Sequence, residues 1–488
     1  MLIQCDICQV VTIDVLPDDV LLAIFDFYVV RYQDLDFVES AFGTRFGTED
    51  TIKKMRSWQT LVHVCRRWRG LVFGSPRRLD LRLYCTTRTP ARKTLDDWPA
   101  LPLRINGDVF EDSVDDVVAV LQHSDRICQI NLRCHTTLQI EKLWTTMKLP
   151  FPDLASLCLS TEGLSHVPAL PDSFLGGSAP RLRFLCLHSI PFPGSPVLLL
   201  TATHLVSLWL LNIPHSGYIS PDAMVTCLSM LVSLEQLQLA FESPQSSPDQ
   251  ENRRSPPPTR TVLPALISFS FKGVSEYLEE LVTRIDTPQL RQFWTTFFND
   301  IGFDIPKLIQ FITLTFDALK DAHVVFDTDT AWITFQRLAP SFSDVRVEIS
   351  CRVPNWQLSS LGQIGTSFLL LLSTTENLYI YEYLKTQIVW EDDIENIELL
   401  ELLFPFTAVK DLYISKQFAP RIAPALRELT GGSTAEVLPT LENLFLEGFQ
   451  PSEQVHEGIR QFISARQLTN RPVTISIWER DPMSLEVG

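Results

Sequence analysis

Leu154-Ala155-Ser156-Leu157-Cys158-Leu159 is a short run with leucine at its first, fourth and sixth places. The spacing returns at Leu182/Leu185/Leu187, Leu205/Leu208/Leu210 and Leu234/Leu237/Leu239, and again as Leu266/Phe269/Phe271. The first residues of successive runs lie 28, 23, 29 and 32 apart. An earlier copy is Ile127/Ile130/Leu132, weaker later ones are Thr375/Leu378/Ile380 and Val409/Leu412/Ile414, and Leu441/Leu444/Leu446 closes the series. The last two apolar residues of each run are two positions apart, the alternation of a strand that buries one face.

Self-similarity at periods in the twenties marks a leucine-rich-repeat solenoid, in which one strand per repeat supplies the alternating core. The standard repeat carries an asparagine three residues after its last leucine. Here that place holds Glu162, Ile190, Ile213, Glu242, Val274 and Phe449. Four of these six are apolar, so the turns should be packed rather than hydrogen-bonded. Uneven repeat lengths predict an irregular arc over residues 126–480. Ser243 to Thr261, rich in proline and serine, separates two repeat cores and is expected to be a disordered loop of about 243–261. Glu453 to Gln467, followed by Pro472 to Trp478, reads as a closing helix and strand, the cap a solenoid needs.

The stretch before the repeats has another character. Pro17 followed by Asp18 and Asp19 is a helix start, because proline presets φ and the acids face the positive helix end. Leu21, Ile24, Phe25 and Tyr28 then form an i, i+3, i+4, i+7 stripe. A second helix is expected from Ser57, with Leu61, Val64, Cys65, Trp68 and Leu71 on one side and Arg66, Arg67 and Arg69 on the other. Residues 12–75 thus form one unit with an internal loop or short extra helix over about 31–56, and 76–125 reads as linker and first-repeat cap.

Composition narrows the function. Of 488 residues 45% are hydrophobic, ample for a core, which excludes disorder as the overall state. Acids number 58 against 41 lysines and arginines, a balance of −17 that argues against a nucleic-acid partner. Between Lys53 and Lys93, however, twelve basic residues stand against the single acid Asp80. Cys5 and Cys8 form a lone CxxC without the further ligands a zinc site needs, so no metal is expected and the cysteines read as reduced thiols. The N-terminus lacks a basic leader, and Val197 to Ile213 falls short of a membrane span, so an intracellular protein, cytoplasmic or nuclear, is expected. No phosphate-binding glycine loop, HExxH or GxSxG is present, and the histidines are scattered. No enzyme and no cofactor are expected.

Leu16-Pro17-Asp18-Asp19-Val20-Leu21-Leu22-Ala23-Ile24-Phe25, followed by Trp58 to Leu71 with Val64-Cys65-Arg66-Arg67-Trp68-Arg69, resembles the F-box. That family opens on Leu-Pro, continues as an amphipathic helix and ends in a Val-Cys/Ser-x-x-Trp helix. The stretch 31–56 is longer than the family's connector, a tolerable insertion because loop-closure cost grows slowly with length. With the repeats, and with Trp98-Pro99-Ala100-Leu101-Pro102-Leu103, Ala465 to Leu468 and Arg471-Pro472-Val473, the chain resembles the F-box proteins of mushroom-forming fungi.

The resemblance implies an α+β or α/β solenoid: a small three-helix F-box, then an irregular leucine-rich-repeat arc with a helix–strand cap. It implies a non-catalytic substrate receptor of an SCF-type ubiquitin ligase, docked on a Skp-family adaptor and through it on a cullin and RING subunit. Adaptor-binding residues would be Leu16, Pro17, Leu21, Ile24, Leu61, Val64, Cys65, Trp68 and Leu71. Three short helices bury these poorly by themselves, and an exposed apolar patch marks a partner site. The arginines would lie at the rim and meet an adaptor that is acidic as a family. The alternative is a repeat scaffold whose F-box-like segment is only a cap.

Residues between the repeat leucines should point to the opposite, concave face. They include Ser156 and Cys158; Phe184, Cys186 and His188; Ser207 and Trp209; Gln236 and Gln238; Ser268, Ser270 and Lys272. Gln292 and Trp294, Tyr413, Asn443 and Phe445 extend the set. For a protein substrate the expected contacts are Phe184, His188, Trp209, Gln238, Lys272, Trp294, Tyr413 and Phe445, with the exposed aromatics Phe184, Trp209 and Trp294 as anchors.

Overall fold

The computed structural model describes residues 13–29, 57–86, 95–164, 166–193, 197–244, 260–298, 305–316, 320–337, 343–383, 396–428, 437–448 and 453–479. Cys5, Cys8 and the stretch 31–56 lie outside them, as does most of 243–261. The chain divides into two compact units, Met1–Ile190 and Pro191–Gly488.

In the first unit, α1 spans Asp18–Tyr28, with Pro17 before it and Asp18 and Asp19 in its first turn. It buries Leu21, Leu22, Phe25 and Val29. The sequence stripe is therefore rotated: Ile24 and Tyr28 face outward, 41% and 49% exposed. The expected second helix is two, α2 at Ser57–Val62 and α3 at Arg66–Gly74. Cys65 breaks the chain between them. Its backbone is extended (φ −155°, ψ 170°), and its Sγ accepts the first-turn N–H of Trp68 at 3.4 Å. A side chain that satisfies an orphan N–H begins a new helix rather than continuing an old one.

Five strands follow: β1 (Leu83–Thr86), β2 (Leu103–Val109), β3 (Ile127–Cys134), β4 (Ser156–Thr161) and β5 (Phe184–His188). Each pairs parallel with the next in chain order. Strands β1 and β2 fall in the stretch 76–125, so pairing begins before the first leucine motif. Ile130/Leu132, Leu157/Leu159 and Leu185/Leu187 stand in register as columns no more than 2% exposed. Each such leucine contributes roughly 1.5–3 kcal/mol of burial.

The second unit continues the pattern. Strands β6 (Ser207–Ile213), β7 (Gln236–Phe241), β9 (Ser268–Gly273) and β11 (Gln292–Phe298) pair parallel in that order. The Pro/Ser-rich stretch ends in order rather than disorder, because Thr261–Val262 is β8, paired parallel with β10 (Ile285–Asp286). Then the pattern inverts. Strands β12 (Asp321–Phe326), β13 (Thr330–Arg337) and β14 (Ser343–Ser350) enter the sheet in reverse, so that β11 pairs with β14 and β12 pairs with β15 (Asn377–Glu382). Strand β13 between them is antiparallel to both neighbours. Parallel pairing resumes through β16 (Asp411–Ile414), β17 (Asn443–Glu447) and β18 (Thr474–Trp478).

Helices pack on the leucine face. Phe293 of β11 meets Phe311 of the helix Pro306–Thr315 at 5.6 Å, and Phe335 of β13 meets Phe368 at 6.2 Å. Of the apolar turn residues, Ile190 and Ile213 are packed at 4% and 3% exposure, Val274 is only half-buried, and Phe449 lies outside the described residues. The closing helix and strand occur as Glu453–Leu468 and β18. Buried Arg466 fixes that helix by donating to the Val437 and Leu438 carbonyls at 3.2 and 2.6 Å. As a cap, however, β18 is incomplete. Its Ile475 and Ile477 stand in register with buried Leu444 and Leu446 yet are 45% and 70% exposed.

Candidate functional site

Two surfaces carry chemistry. The first is built by α1, α2 and α3. Leu21 and Phe25 face inward, and the Phe25 ring lies 4.7 Å from that of Trp68, tying α1 to α3. Arg67 locks the same pair by donating to the Asp18 carboxylate (2.5 Å) and the Leu16 carbonyl (2.6 Å). Arg69 donates to the Val62 carbonyl at 3.0 Å. Two of the three expected rim arginines are therefore tied back onto the segment itself, Arg69 while exposed, and Arg66 is exposed as well. The outer side of α1 is apolar too: Val20, Ile24 and Phe27 lie at i, i+4 and i+7, with Phe27 95% exposed. Val64 (58%) and Val15 (71%) are exposed as well. An eleven-residue helix with two apolar stripes has one more than the described residues of its unit cover.

Of the nine expected adaptor contacts, Pro17, Ile24 and Val64 are exposed, and Leu16, Cys65, Trp68 and Leu71 are half-buried. Leu21 (0%) and Leu61 (6%) are core residues, because the α1–α2–α3 packing consumes them. Phe27, the most exposed of the patch, was missed. Its signal was the second i, i+4, i+7 spacing from Val20.

The second surface is the strand face opposite the leucine columns. In the first unit it carries Phe184 and His188, both half-buried, on β5. Burial lowers the His188 pKa, so the imidazole is held toward its neutral form. Cys158 and Cys186 are opposite each other in register and buried, and the Cys186 thiol is pushed well above its ordinary range by the Cys158 hydrogen bond and by burial.

In the second unit the wall falls into rows set by register. Gln238, Ser270, Trp294 and Arg346 form one continuous row across β7, β9, β11 and β14. Trp294 donates its Nε1–H to Asp344 Oδ2 at 2.9 Å. Asp344 is 4% exposed, and burial lifts its pKa to about 6 while the Trp294 bond and Arg346 pull the other way. The Arg346 guanidinium lies 4.1 Å from the Trp332 ring and bonds Glu348 at 2.6 Å. Lys272 is half-buried, its ammonium 5.8 Å from the Phe298 ring. Trp209 does not stand open as expected. It is 2% exposed, so it contributes packing rather than an accessible anchor.

Further along, Tyr413 and Phe445 belong to an aromatic row the sequence only half revealed. His323, Tyr379, Tyr413 and Phe445 stack with ring centroids 4.5, 4.3 and 4.4 Å apart and interplanar angles of 8°, 13° and 7°. Trp478 flanks them, 5.5 Å from Tyr413. Beside this row Asn377 donates to Asp321 Oδ1 at 2.6 Å and Asn443 to Asp411 Oδ1 at 2.7 Å. Tyr379, which lies between Leu378 and Ile380 of a weaker copy, was not among the residues expected on this face. Among the described residues no three His, Cys, Asp or Glu side chains are grouped to hold a metal, and no helix is long and apolar enough to cross a membrane.

The fold is thus a mixed α/β repeat of strand and helix with leucine-rich-repeat character. Among solved structures it is similar to the leucine-rich repeat-containing protein LegL7 of Legionella pneumophila, with TM-score 0.27 and 10% identity over 78% of this chain and 97% of that one. No protein-family model matches the chain, and no curated protein does.

Proposed function

We propose that this chain is a non-catalytic substrate receptor of an SCF-type ubiquitin ligase. Its α1–α3 segment acts as an F-box that docks a Skp-family adaptor, and its strand faces bind the protein to be modified. The observation that carries the reading is the outer stripe of α1, whose Phe27 is 95% exposed beside Ile24. Desolvating a rigid aromatic in a partner's groove is how a helix-docking interface gains most of its energy. Arg66 stands exposed on the same segment and would steer an acidic adaptor. The receptor itself needs no nucleophile, metal or cofactor, since transfer would occur on the ligase's other subunits.

A second reading has its own support. Leu21 and Leu61 are buried and Trp68 packs on Phe25, as in a plain N-terminal cap of a repeat scaffold. Co-purification with a fungal Skp-family adaptor separates the two. The receptor reading expects a stable complex with the wild-type chain and none with Ile24→Asp, with unchanged circular dichroism. A folded wild-type chain that captures no adaptor leaves the scaffold reading.

A further inference from the structure

We infer that the face of β12 and β15–β17 opposite the leucine columns binds a basic, extended partner segment in polyproline II form, with lysine or arginine at every third residue. This names a substrate class for the receptor proposed above and rests on that reading only for its setting.

The spacing selects the ligand. Asp321, Asn377, Asp411 and Asn443 are register partners on four successive strands, so the carboxylates occupy every second strand. Strands about 4.8 Å apart place those carboxylates roughly 9.6 Å apart. A polyproline II helix returns to the same side every third residue, about 9.3 Å along its axis. A β-strand ligand repeats a side at about 6.7 Å and would miss the second acid.

The chemistry agrees. The asparagine amides hold Oδ1 of Asp321 and Asp411, which fixes both carboxylates. Their Oδ2 atoms accept no hydrogen bond from a described residue, leaving each able to take a charge-assisted bond from an incoming cation. Lys320 and Lys410, one residue earlier on each strand, are already matched by Glu376 at 3.1 and 3.7 Å. Two residues further along lies the stacked row His323–Tyr379–Tyr413–Phe445, a ridge of half-buried rings. Aromatic-lined surfaces suit polyproline II because its form is preset and its carbonyls make no internal hydrogen bonds. Burial raises the pKa of Tyr379 and of Tyr413, whose hydroxyls are hydrogen-bonded to each other. The chain's net charge of −17 adds long-range attraction for a basic segment.

Fluorescence anisotropy on the full chain tests this with labelled (Pro-Pro-Arg)4 and an isomer of the same composition with its arginines in one block. The periodic peptide should bind at least roughly tenfold tighter than the block isomer, and the double variant Asp321→Asn, Asp411→Asn should lose roughly tenfold or more for the periodic peptide. The substitutions keep size and the acceptor for each asparagine, and Asp222→Asn, on a helix of the same unit, should leave binding unchanged. Equal binding of both peptides, an unaffected double variant, or no binding of the periodic peptide overturns the inference. The titration contains no adaptor, so a chain that binds the periodic peptide but captures no adaptor keeps this site and loses the receptor reading. The reverse result removes this site alone.

Discussion

Replacing Phe27 by alanine separates a docking surface from a cap. Phe27 is 95% exposed, while Phe25, two residues away, is fully buried against Trp68. An aromatic side chain offers about 150–250 Å² for burial, of which truncation to alanine removes roughly 120 Å². At about 25 cal/mol per Å² this is about 3 kcal/mol, on the order of a 150-fold loss of affinity if a partner covers the ring. Folding should hardly register the change, since an exposed side chain away from caps and networks moves stability by about 0.5 kcal/mol or less. Phe25→Ala should do the opposite, at about 3–5 kcal/mol of stability. Titration calorimetry with a Skp-family adaptor, beside thermal melts of both variants, reads both quantities. A Phe27→Ala chain that melts well below wild type would mean the ring is internal. One that keeps full adaptor affinity would mean the outer stripe of α1 is not the interface. Either result refutes the argument.

Two predictions concern buried carboxylates. The pKa of Asp344 rises from 3.8 to about 6 on folding, so between about pH 4 and 6 the native state binds the extra proton and stability falls as pH rises. The full effect is about 3 kcal/mol at most, and denaturant melts of Asp344→Asn across that range should lose this part of the slope. Glu279 accepts the N–H groups of Lys307 and Leu308 at 3.1 and 2.5 Å, capping the helix Pro306–Thr315 from a neighbouring helix. Glu279→Ala should cost about 2 kcal/mol by urea unfolding, with Glu279→Gln recovering most of it.

What was legible in the sequence follows its physics. Leucine at alternate positions identifies a half-buried strand whatever surrounds it, and motif after motif lies on a strand with its leucines buried. Direction within the sheet is not encoded in that alternation. Asp321 to Arg337 contains two alternating runs around Asp327-Thr328-Asp329, a hairpin signal, but no leucine motif to draw attention to it. The helix stripe failed differently. Leu21, Ile24, Phe25, Tyr28 and Val20, Ile24, Phe27 both satisfy helical spacing, and a periodicity count does not rank two overlapping stripes. Packing against Trp68 decides, and it selects Leu21, Leu22 and Phe25. Trp209 shows the same limit, since alternation assigns a face but not whether that face is open.

The inversion at β12–β14 is what gives the polar–aromatic wall its order. Had these strands entered the sheet in chain order and parallel, β14 would lie beside β15, and Asp344 and Arg346 would stand beside Asn377 and Tyr379. The end of the aromatic stack would then be a guanidinium, and a fixed positive charge would border the carboxylate row. The antiparallel strand β13 instead places β12 there, with Asp321 beside Asn377 and His323 against Tyr379. A planar imidazole continues the stack at 4.5 Å, while Arg346 is held by Glu348 and Trp332 two strands away. The reversal thus extends the row by a ring and an acid and sets Thr334 between that ring and Arg346, whose charge Glu348 matches.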